Sequence, residues 1–316
     1  MKKYIRSLMY LGVLLWGIQQ VPAQTPADAI MMEKGEICLA ILYDHGYWEQ
    51  YWEGALLRRN GNMGTLIRQT VSPMAAVGLA NKLNLIVMTP YVKTRSSEPN
   101  GGQLAGVQGF QDLGLFLKAE VVNREIGKGK LTFHPTLGFS TPMSNYLSDY
   151  MPYSLGFGAN EFSARGILQY QLHKGLYVRG SVAHLWRGYT EAERDYYYSN
   201  GSYYTAWMNV PNAWNYQATI GMWLLDNSLR LETSFNGLKC TSGDDIRAYN
   251  APQPTNKVEV DQLSFFGQYY FQKNKGLGVL ASYTQMFNGR NMGKFSNIGF
   301  GLTYQFSVLK KSKKQS

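Results

Sequence analysis

The chain has 316 residues, of which 16% are charged and 14% are aromatic, including 23 tyrosines. Charged residues make up roughly a quarter of an ordinary soluble protein, so this composition argues against a typical cytosolic enzyme and against a disordered chain. The mean hydropathy is slightly negative, at -0.28, and no apolar run after residue 23 is long enough to cross a bilayer as a helix. The composition favours a β-rich protein with many half-apolar strands.

The first 23 residues are typical of a bacterial secretory signal peptide. Lys2, Lys3 and Arg6 form a basic region, an apolar stretch follows, and small residues stand just before Gln24. We therefore expect a mature chain that begins near Gln24 and leaves the cytoplasm. A buried N-terminal helix is the alternative interpretation.

The formal net charge of +10 is concentrated near the two ends of the chain. Three positive charges lie in the signal region and four in the tail, so the body between them carries only about +3. We therefore predict no basic surface of the kind that binds nucleic acid. The tail charges belong to Lys310, Lys311, Lys313 and Lys314.

Beyond residue 50 the sequence repeats segments of about ten residues in which apolar and polar side chains alternate, each followed by a turn. A period of two places successive side chains on opposite faces of a strand. Twelve strands are predicted in this way, and the first of them, 52–59, is ambiguous. The clearest segments are 111–121, 130–140, 162–171, 214–222, 229–236 and 297–306, and the less regular ones are 64–79, 83–93, 176–190, 258–272 and 277–287.

Short turns rich in Gly, Asn and Asp alternate with long polar or tyrosine-rich loops from the second strand onward. This order predicts an all-β fold, an up-and-down antiparallel transmembrane β-barrel of about 12 strands with short periplasmic turns and long outer loops. A soluble β-sandwich is the alternative. The signal peptide, the two classes of loop length and the aromatic residues near strand ends disfavour it.

Several turn and strand-start motifs between residues 48 and 141 match a known pattern. They are Tyr51-Trp52-Glu53-Gly54, Arg59-Asn60-Gly61-Asn62-Met63-Gly64-Thr65, Gly78-Leu79, Asn81-Lys82-Leu83-Asn84-Leu85, Pro90-Tyr91 and Gly109-Phe110-Gln111-Asp112-Leu113-Gly114. On these residues the chain resembles the outer-membrane barrels named as transporters of the phenol-degradation meta-pathway, although Gln111 stands where that family usually has Gly. The resemblance implies a passive import channel for small, often apolar compounds.

If the apolar side chains face lipid, the opposite side chains face the barrel lumen. These charged groups either set a constriction for cargo or pair with one another and fill a narrow barrel. The candidates for the lumen or constriction are Arg68, Asp112, Lys118, Glu120, His134, Arg165, Arg179, Arg230 and Glu232.

Two further features lie in the predicted wall and in the longest outer loop. Pro90 interrupts a strand, which predicts either a bulge or a break in the wall that gives apolar cargo a lateral exit. An aromatic platform in the loop binds ring-bearing ligands, or else packs over the barrel mouth or against lipopolysaccharide. Its residues are Tyr196, Tyr197, Tyr198, Tyr203, Tyr204 and Trp207.

The sequence offers no clear catalytic, metal or cofactor site. His134 is predicted to lie inside the barrel beside Thr132 and Thr136, but it lacks the His-x-Ser spacing of barrel lipases. Cys38 and Cys240 either pair in an oxidising compartment or stay free. We therefore expect no enzymatic activity and no cofactor.

The predicted organisation is a signal peptide (1–23), an N-terminal periplasmic segment or short hatch (24–47), a β-barrel (48–306) and a basic C-terminal tail (307–316). We expect a monomeric, porin-like channel in the outer membrane of a Gram-negative bacterium, passively transporting small, apolar or aromatic molecules. Its expected partners are outer-membrane lipid, lipopolysaccharide, the barrel-assembly machinery and small-molecule cargo, and not nucleic acid. A non-transporting structural or surface-binding barrel is the alternative.

Overall fold

The structure, a computed structural model, describes most of the chain after the signal region. The predicted signal peptide and the tail from residue 310 lie outside the described residues. Within the described part no helix is long and apolar enough to cross a membrane. The described residues are 24–98, 100–193, 205–246, 252–273 and 276–309, together with the backbone of 197–198 and 202–203.

Twelve strands form one closed antiparallel sheet. Each strand pairs with its neighbours in sequence, and the first pairs with both the second and the last, which closes the sheet into a barrel. Closure leaves no strand edge unpaired, as a lipid environment requires. The predicted fold class is thereby confirmed. The strands are β1 (Glu36–Trp48), β2 (Leu66–Ala80), β3 (Leu83–Met88 with Tyr91–Ser96), β4 (Gln108–Phe110, Asp112–Ala119 and Val122–Ile126), β5 (Gly129–Pro142), β6 (Glu161–Leu172), β7 (Leu176–Arg187), β8 (Ala213–Leu224), β9 (Leu229–Cys240), β10 (Glu259–Tyr270), β11 (Leu277–Arg290) and β12 (Ser296–Ser307).

The first strand differs from the prediction. Residues 52–59 belong to a small hairpin of Gln50–Glu53 and Leu56–Arg59, which is not part of the barrel sheet. The barrel begins instead with β1, which lies almost entirely within the stretch 24–47 that we assigned to a periplasmic segment or hatch. The barrel therefore starts 12 residues earlier than the predicted boundary at residue 48.

Both faces of the first half of β1 are apolar, which hides its alternation in the sequence. Leu39 and Ile41 point outward and are 46% and 50% exposed, whereas Cys38 and Ala40 point inward and are buried. A strand with two apolar faces lacks the period-two signal by which the other strands are recognised.

The connections at the two ends of the barrel differ in length. Glu36 pairs with Ser307 at the start of β1 and the end of β12, so both termini of the barrel lie at the end that carries the short turns. This arrangement matches up-and-down barrels whose short turns are periplasmic. The connections at this end are 81–82, 127–128, 173–175, 225–228 and 271–276. Those at the opposite end are the long loops 49–65, 97–107, 143–160, 188–212 and 241–258, and one short connection, 291–295.

Apolar side chains cover the outside of the barrel, and polar side chains predominate inside it, apart from an apolar patch on β1, β2 and β3. Ile220 and Phe300 point outward and are 62% and 57% exposed, whereas Lys118, His134 and Gln268 point inward and are at most 1% exposed. A soluble β-sandwich would bury its apolar faces between two sheets. The reversed distribution is the one expected for a wall between lipid and a polar lumen.

Candidate functional site in the barrel lumen

The irregular segment 24–35 lies inside the short-turn half of the barrel. Gln24, Asp28 and Met32 are at most 1% exposed, and Met32 packs against inward-facing side chains that include Ile86. The side-chain amides of Gln24 and Asn84 lie 2.7 Å apart next to the turn at 81–82. The segment therefore occupies part of the lumen.

Lys118 on β4 attaches this segment to the wall. Its Nζ donates to the backbone oxygens of Thr25 and Asp28 at 2.7 and 2.9 Å, and to Oδ1 of Asp28 at 2.9 Å. The same carboxylate accepts hydrogen bonds from the amides of Thr25 and Ile30. Both charged side chains are almost fully buried, so each depends on the other for compensation.

The electrostatic surroundings of Asp28 keep it ionised. Burial raises the pKa of its carboxyl, but the positive charges of Lys118, Arg230 and Arg179 outweigh burial and hold the pKa below its ordinary value of 3.8. These cations therefore form one electrostatic cluster with Asp28, and its carboxyl stays ionised at neutral pH.

Arg179 and Arg230 of this cluster also contact Glu232, which joins β7 to β9 across the lumen-facing side of β8. Arg179 donates from its two terminal nitrogens to the two carboxylate oxygens of Glu232, at 2.9 and 3.0 Å. Tyr177 also donates its hydroxyl to this carboxylate, and the Nε atom of Arg230 lies 3.2 Å from it. The paired groups restrict the lumen and rigidify this part of the wall.

Glu120 and His134 lie beside each other near the short-turn end. Nε2 of His134 is 3.8 Å from a carboxylate oxygen of Glu120, which also accepts a hydrogen bond from Asn123 at 2.8 Å. His134 is fully buried, and neither ring nitrogen has a hydrogen-bond partner among the described residues. The ring is therefore hydrogen-bonded to no serine in the described part of the chain.

The mouth of the barrel at the long-loop end is narrowed by the loop 143–160. Arg68 on β2 donates to the backbone oxygens of Ser154 and Leu155 at 3.2 and 2.6 Å. Tyr153 is fully buried, and its hydroxyl lies 2.8 Å from the hydroxyl of Ser96. The loop is thus folded inward against the wall rather than extended away from it.

Asp112 and Arg165 make separate polar contacts in the same half of the barrel. Tyr146 in the loop donates to Oδ1 of Asp112 at 2.6 Å. Burial and the Asp112 carboxylate raise the pKa of Tyr146 above its usual range, so the hydroxyl stays protonated. Arg165 donates to Ser181 and Asn215 at 3.1 and 2.8 Å. The nine charged candidates therefore divide between two levels of the lumen and do not form a single ring.

Pro90 lies at a bulge between β3 and β4. Met88 pairs with Gly114 whereas Tyr91 pairs with Phe110, so β4 carries one extra residue at this level. The Pro90 oxygen still accepts a hydrogen bond from the amide of Gln111 at 2.9 Å. Hydrogen bonding continues on both sides of the proline, and the lateral exit at this position stays a prediction.

Most of the predicted aromatic platform lies where side chains are not described. Tyr196 and Tyr204 lie outside the described residues, and Tyr197, Tyr198 and Tyr203 are described only as short strand backbone. Trp207 belongs to the strand Trp207–Asn209, which pairs with Tyr189–Glu191, and it is 56% exposed. Whether these residues bind a ligand stays a prediction.

Sequence reasoning missed three groups that shape the lumen. Asp28 lies in an irregular segment, and Tyr146 lies in a loop, so neither belongs to a periodic pattern. Tyr177 could have been predicted from the sequence, because it is two residues before Arg179 on the same strand and therefore faces the lumen as Arg179 does.

No metal or redox centre is assembled from the described side chains. No group of three or more His, Cys, Asp or Glu residues is placed to hold a metal ion there. Cys38 and Cys240 are both buried and free. The lumen chemistry of the described residues is therefore that of ion pairs, hydrogen bonds and aromatic contacts.

Comparison with solved structures places this architecture among outer-membrane barrels. A crystal structure of an outer membrane channel from Pseudomonas putida F1 superposes with a TM-score of 0.70 at 12% identity, covering 90% of this chain and all of the other. The NanC porin gives a TM-score of 0.48 at 10% identity, covering 83% of this chain and 98% of the porin. The translocator domain of the autotransporter NalP from Neisseria meningitidis gives 0.41 at 12% identity, covering 87% and 90%.

These likenesses concern the fold. No family model and no curated protein matches the sequence. The similarity to the Pseudomonas channel supports an outer-membrane barrel, but it does not single out the phenol-degradation family that the motifs between residues 48 and 141 resemble.

Proposed function

We propose that the chain is an outer-membrane channel through which small molecules move passively. The observation that carries this proposal is the closed barrel with an apolar outer surface and charged side chains inside. Such a wall has one surface suited to acyl chains and another suited to water and solutes. The likeness in fold to an outer membrane channel supports the same assignment.

The route would pass between the segment 24–35 and the barrel wall. Two cavities remain beside this segment, of about 310 Å³ and about 110 Å³. Residues 24–34 are not part of a barrel strand, and the segment is bonded to the strand ends by backbone groups at Gly35, so residues 24–34 can move without breaking the hydrogen-bond ladder that closes the sheet. We propose that it acts as a hatch, and that its displacement widens the route.

The cargo we propose is small and apolar or aromatic. The inner surface beside the hatch is apolar on β1, β2 and β3, where Ala40, Met74 and Ile86 are buried against Met32. Such a surface favours solutes with apolar parts. The resemblance of residues 48–141 to transporters of the phenol-degradation pathway supports the same class, without identifying phenol itself.

We propose that the protein is a monomer in the outer membrane of a Gram-negative bacterium. β1 pairs with β12 of the same chain, so a second chain is not needed to close the barrel. The proposed contacts are lipid around the wall, lipopolysaccharide at the outer loops and the barrel-assembly machinery during insertion. Phe306, near the end of β12, is the aromatic residue that this machinery would read.

A non-transporting barrel is the second candidate. It is favoured by the occupation of both halves of the lumen, by the segment 24–35 at one end and by the loop 143–160 at the other. In this function the outer loops bind a surface partner, and the lumen only supports them.

Electrical recording on the purified full-length mature protein separates these two functions. Channel function predicts discrete conductance steps in planar bilayers, and swelling of proteoliposomes in isotonic solutions of small solutes. Folding is checked by circular dichroism in the same preparation. Folded protein that gives flat traces and no swelling would reject the channel and favour the structural barrel.

A further inference from the structure

Arg230 is a buried cation with unused hydrogen-bonding capacity. Its side chain is 4% exposed. Its Nε lies 3.2 Å from a Glu232 oxygen but is not aligned as a hydrogen bond, and its Nη1 has no partner among the described residues. Arg179, by comparison, engages both oxygens of Glu232. An unpaired donor in a buried guanidinium is costly unless a ligand or solvent meets it.

The carboxylates next to Arg230 in this cluster are already engaged by other side chains. The cations of the cluster are Lys118, Arg179 and Arg230, and the carboxylates beside them are Asp28 and Glu232. Each carboxylate already has a close partner, since Asp28 pairs with Lys118 and Glu232 with Arg179. Arg230 is therefore the cation without an aligned carboxylate, and one anionic group would supply the missing partner.

A cavity of about 310 Å³ opens beside Arg230. It is lined by Tyr177, Trp223 and Tyr270 of the barrel wall and by Ile30 and Met31 of the N-terminal segment. A volume of this order is at the lower end for small-molecule sites, which are mostly apolar with a few polar groups that fix orientation. This cavity has both, with aromatic and aliphatic side chains beside the charged group of Arg230.

The aromatic side chains are arranged around the guanidinium. The rings of Trp223 and Tyr270 are stacked, with centroids 6.4 Å apart. The guanidinium carbon of Arg230 lies 5.8 Å from the Trp223 ring centroid and 4.8 Å from that of Phe266. A ligand that reaches Arg230 from the cavity would therefore contact an aromatic surface at the same time.

We propose that this cavity is a binding site for a small aromatic monocarboxylate. The carboxylate pairs with Arg230, and the ring lies against Trp223 and Tyr270. The site deepens the proposed channel function by naming a class of cargo, and it rests on that function only for the transport step. Binding itself requires only the folded barrel.

Calorimetric titration of the full mature protein in detergent at pH 7 tests the site with benzoate as the probe. Benzamide has the same ring without the negative charge, and inorganic phosphate has the charge without the ring. We expect benzoate to bind roughly tenfold or more tightly than either comparison ligand, because a charge-assisted hydrogen bond and ring packing are each lost in one of them. Equal binding of phosphate and benzoate would leave only a simple anion site and overturn the proposal.

Two substitutions assign the binding to the cavity. We expect Arg230→Gln to weaken benzoate binding about tenfold or more, whereas Arg124→Gln, at an exposed position near the same end of the barrel, leaves it unchanged. Trp223→Leu keeps the charge cluster and removes the aromatic surface, so we expect it to weaken benzoate binding as well. It provides the test if the Arg230→Gln protein does not fold. Wild-type affinity in a folded Arg230→Gln or Trp223→Leu protein would overturn the site.

The proposed binding site and the proposed channel function are rejected by different measurements. Conductance steps without benzoate binding would discard the site and leave the channel. Benzoate binding with flat bilayer traces would discard the channel and leave a barrel with a ligand site.

Discussion

The Nζ atom of Lys118 lies 2.9 Å from Oδ1 of Asp28, and both side chains are buried inside the barrel. This ion pair joins a strand of the wall to an irregular segment, and the two residues are 90 positions apart in the sequence. The segment is also held by backbone hydrogen bonds at Gly35, which is bonded to Gly78 and Val308, so the pair is the buried attachment that holds the far part of the proposed hatch in the lumen.

We expect Asp28→Asn to release the hatch. The substitution leaves Lys118 without its anionic partner, and breaking a buried pair in this way costs about 3–5 kcal/mol. The segment should leave the lumen more often, so the mean single-channel conductance in planar bilayers should rise. Asp226→Asn, in an exposed short turn, is the matched control and should conduct like wild type. Identical conductance in the Asp28→Asn protein would show that the segment does not limit the route.

The same carboxyl predicts how conductance depends on pH. Burial raises the pKa of Asp28, but Lys118 and the two arginines hold it below the ordinary value of 3.8. A lowered folded-state pKa means that the stabilisation is complete above the ordinary value and is lost as pH falls through the lowered one. Conductance should therefore stay constant from about pH 8 to about pH 5 and rise only below 3.8. If the Asp28→Asn protein shows the same acid rise, another group is responsible.

The inward position of the loop 143–160 depends on Tyr153. Replacing this fully buried side chain by alanine removes packing and the hydroxyl contact with Ser96, at a cost of about 3–5 kcal/mol for a large buried aromatic. We expect Tyr153→Ala to expose the loop to protease added to intact cells and to raise conductance. Tyr153→Phe removes only the hydroxyl and should cost about 1 kcal/mol. Equal protease resistance in wild type and Tyr153→Ala would contradict this role.

The sequence predicts the wall well because lipid and lumen impose different side chains on alternate positions. In β12 the outward residues Ile298, Phe300 and Leu302 alternate with Gly299 and Gly301, and the structure places these apolar side chains outside. β1 was not predicted as a strand, because its inward side chains near Cys38 pack on the hatch and are apolar like its outward ones. Periodicity reports a difference between two faces, and it fails where the faces are alike.

The lumen was predictable in composition but not in its pairing. Alternation places Arg179 and Glu232 on inward faces, yet their contact depends on strand register across β8. The pairing of Lys118 with Asp28 depends on where an irregular segment folds back into the barrel. No local pattern contains that information, because it arises from contacts between residues far apart in the chain.

The lipid-facing surface is tested most directly by substituting arginine for a leucine on the outer face of the barrel and, as a control, for a leucine in a loop. Leu302 lies within β12 and is 54% exposed on the outer face, whereas Leu104 lies in a long loop beyond the barrel wall and is 38% exposed. Arginine on a lipid face near the middle of the bilayer costs about 2–4 kcal/mol, and less towards the interfaces. We therefore expect Leu302→Arg to lower the free energy of unfolding in lipid vesicles by up to that amount, while Leu104→Arg changes it little. Guanidinium titration followed by tryptophan fluorescence measures both variants, and equal stabilities would mean that the outer face of β12 does not contact acyl chains.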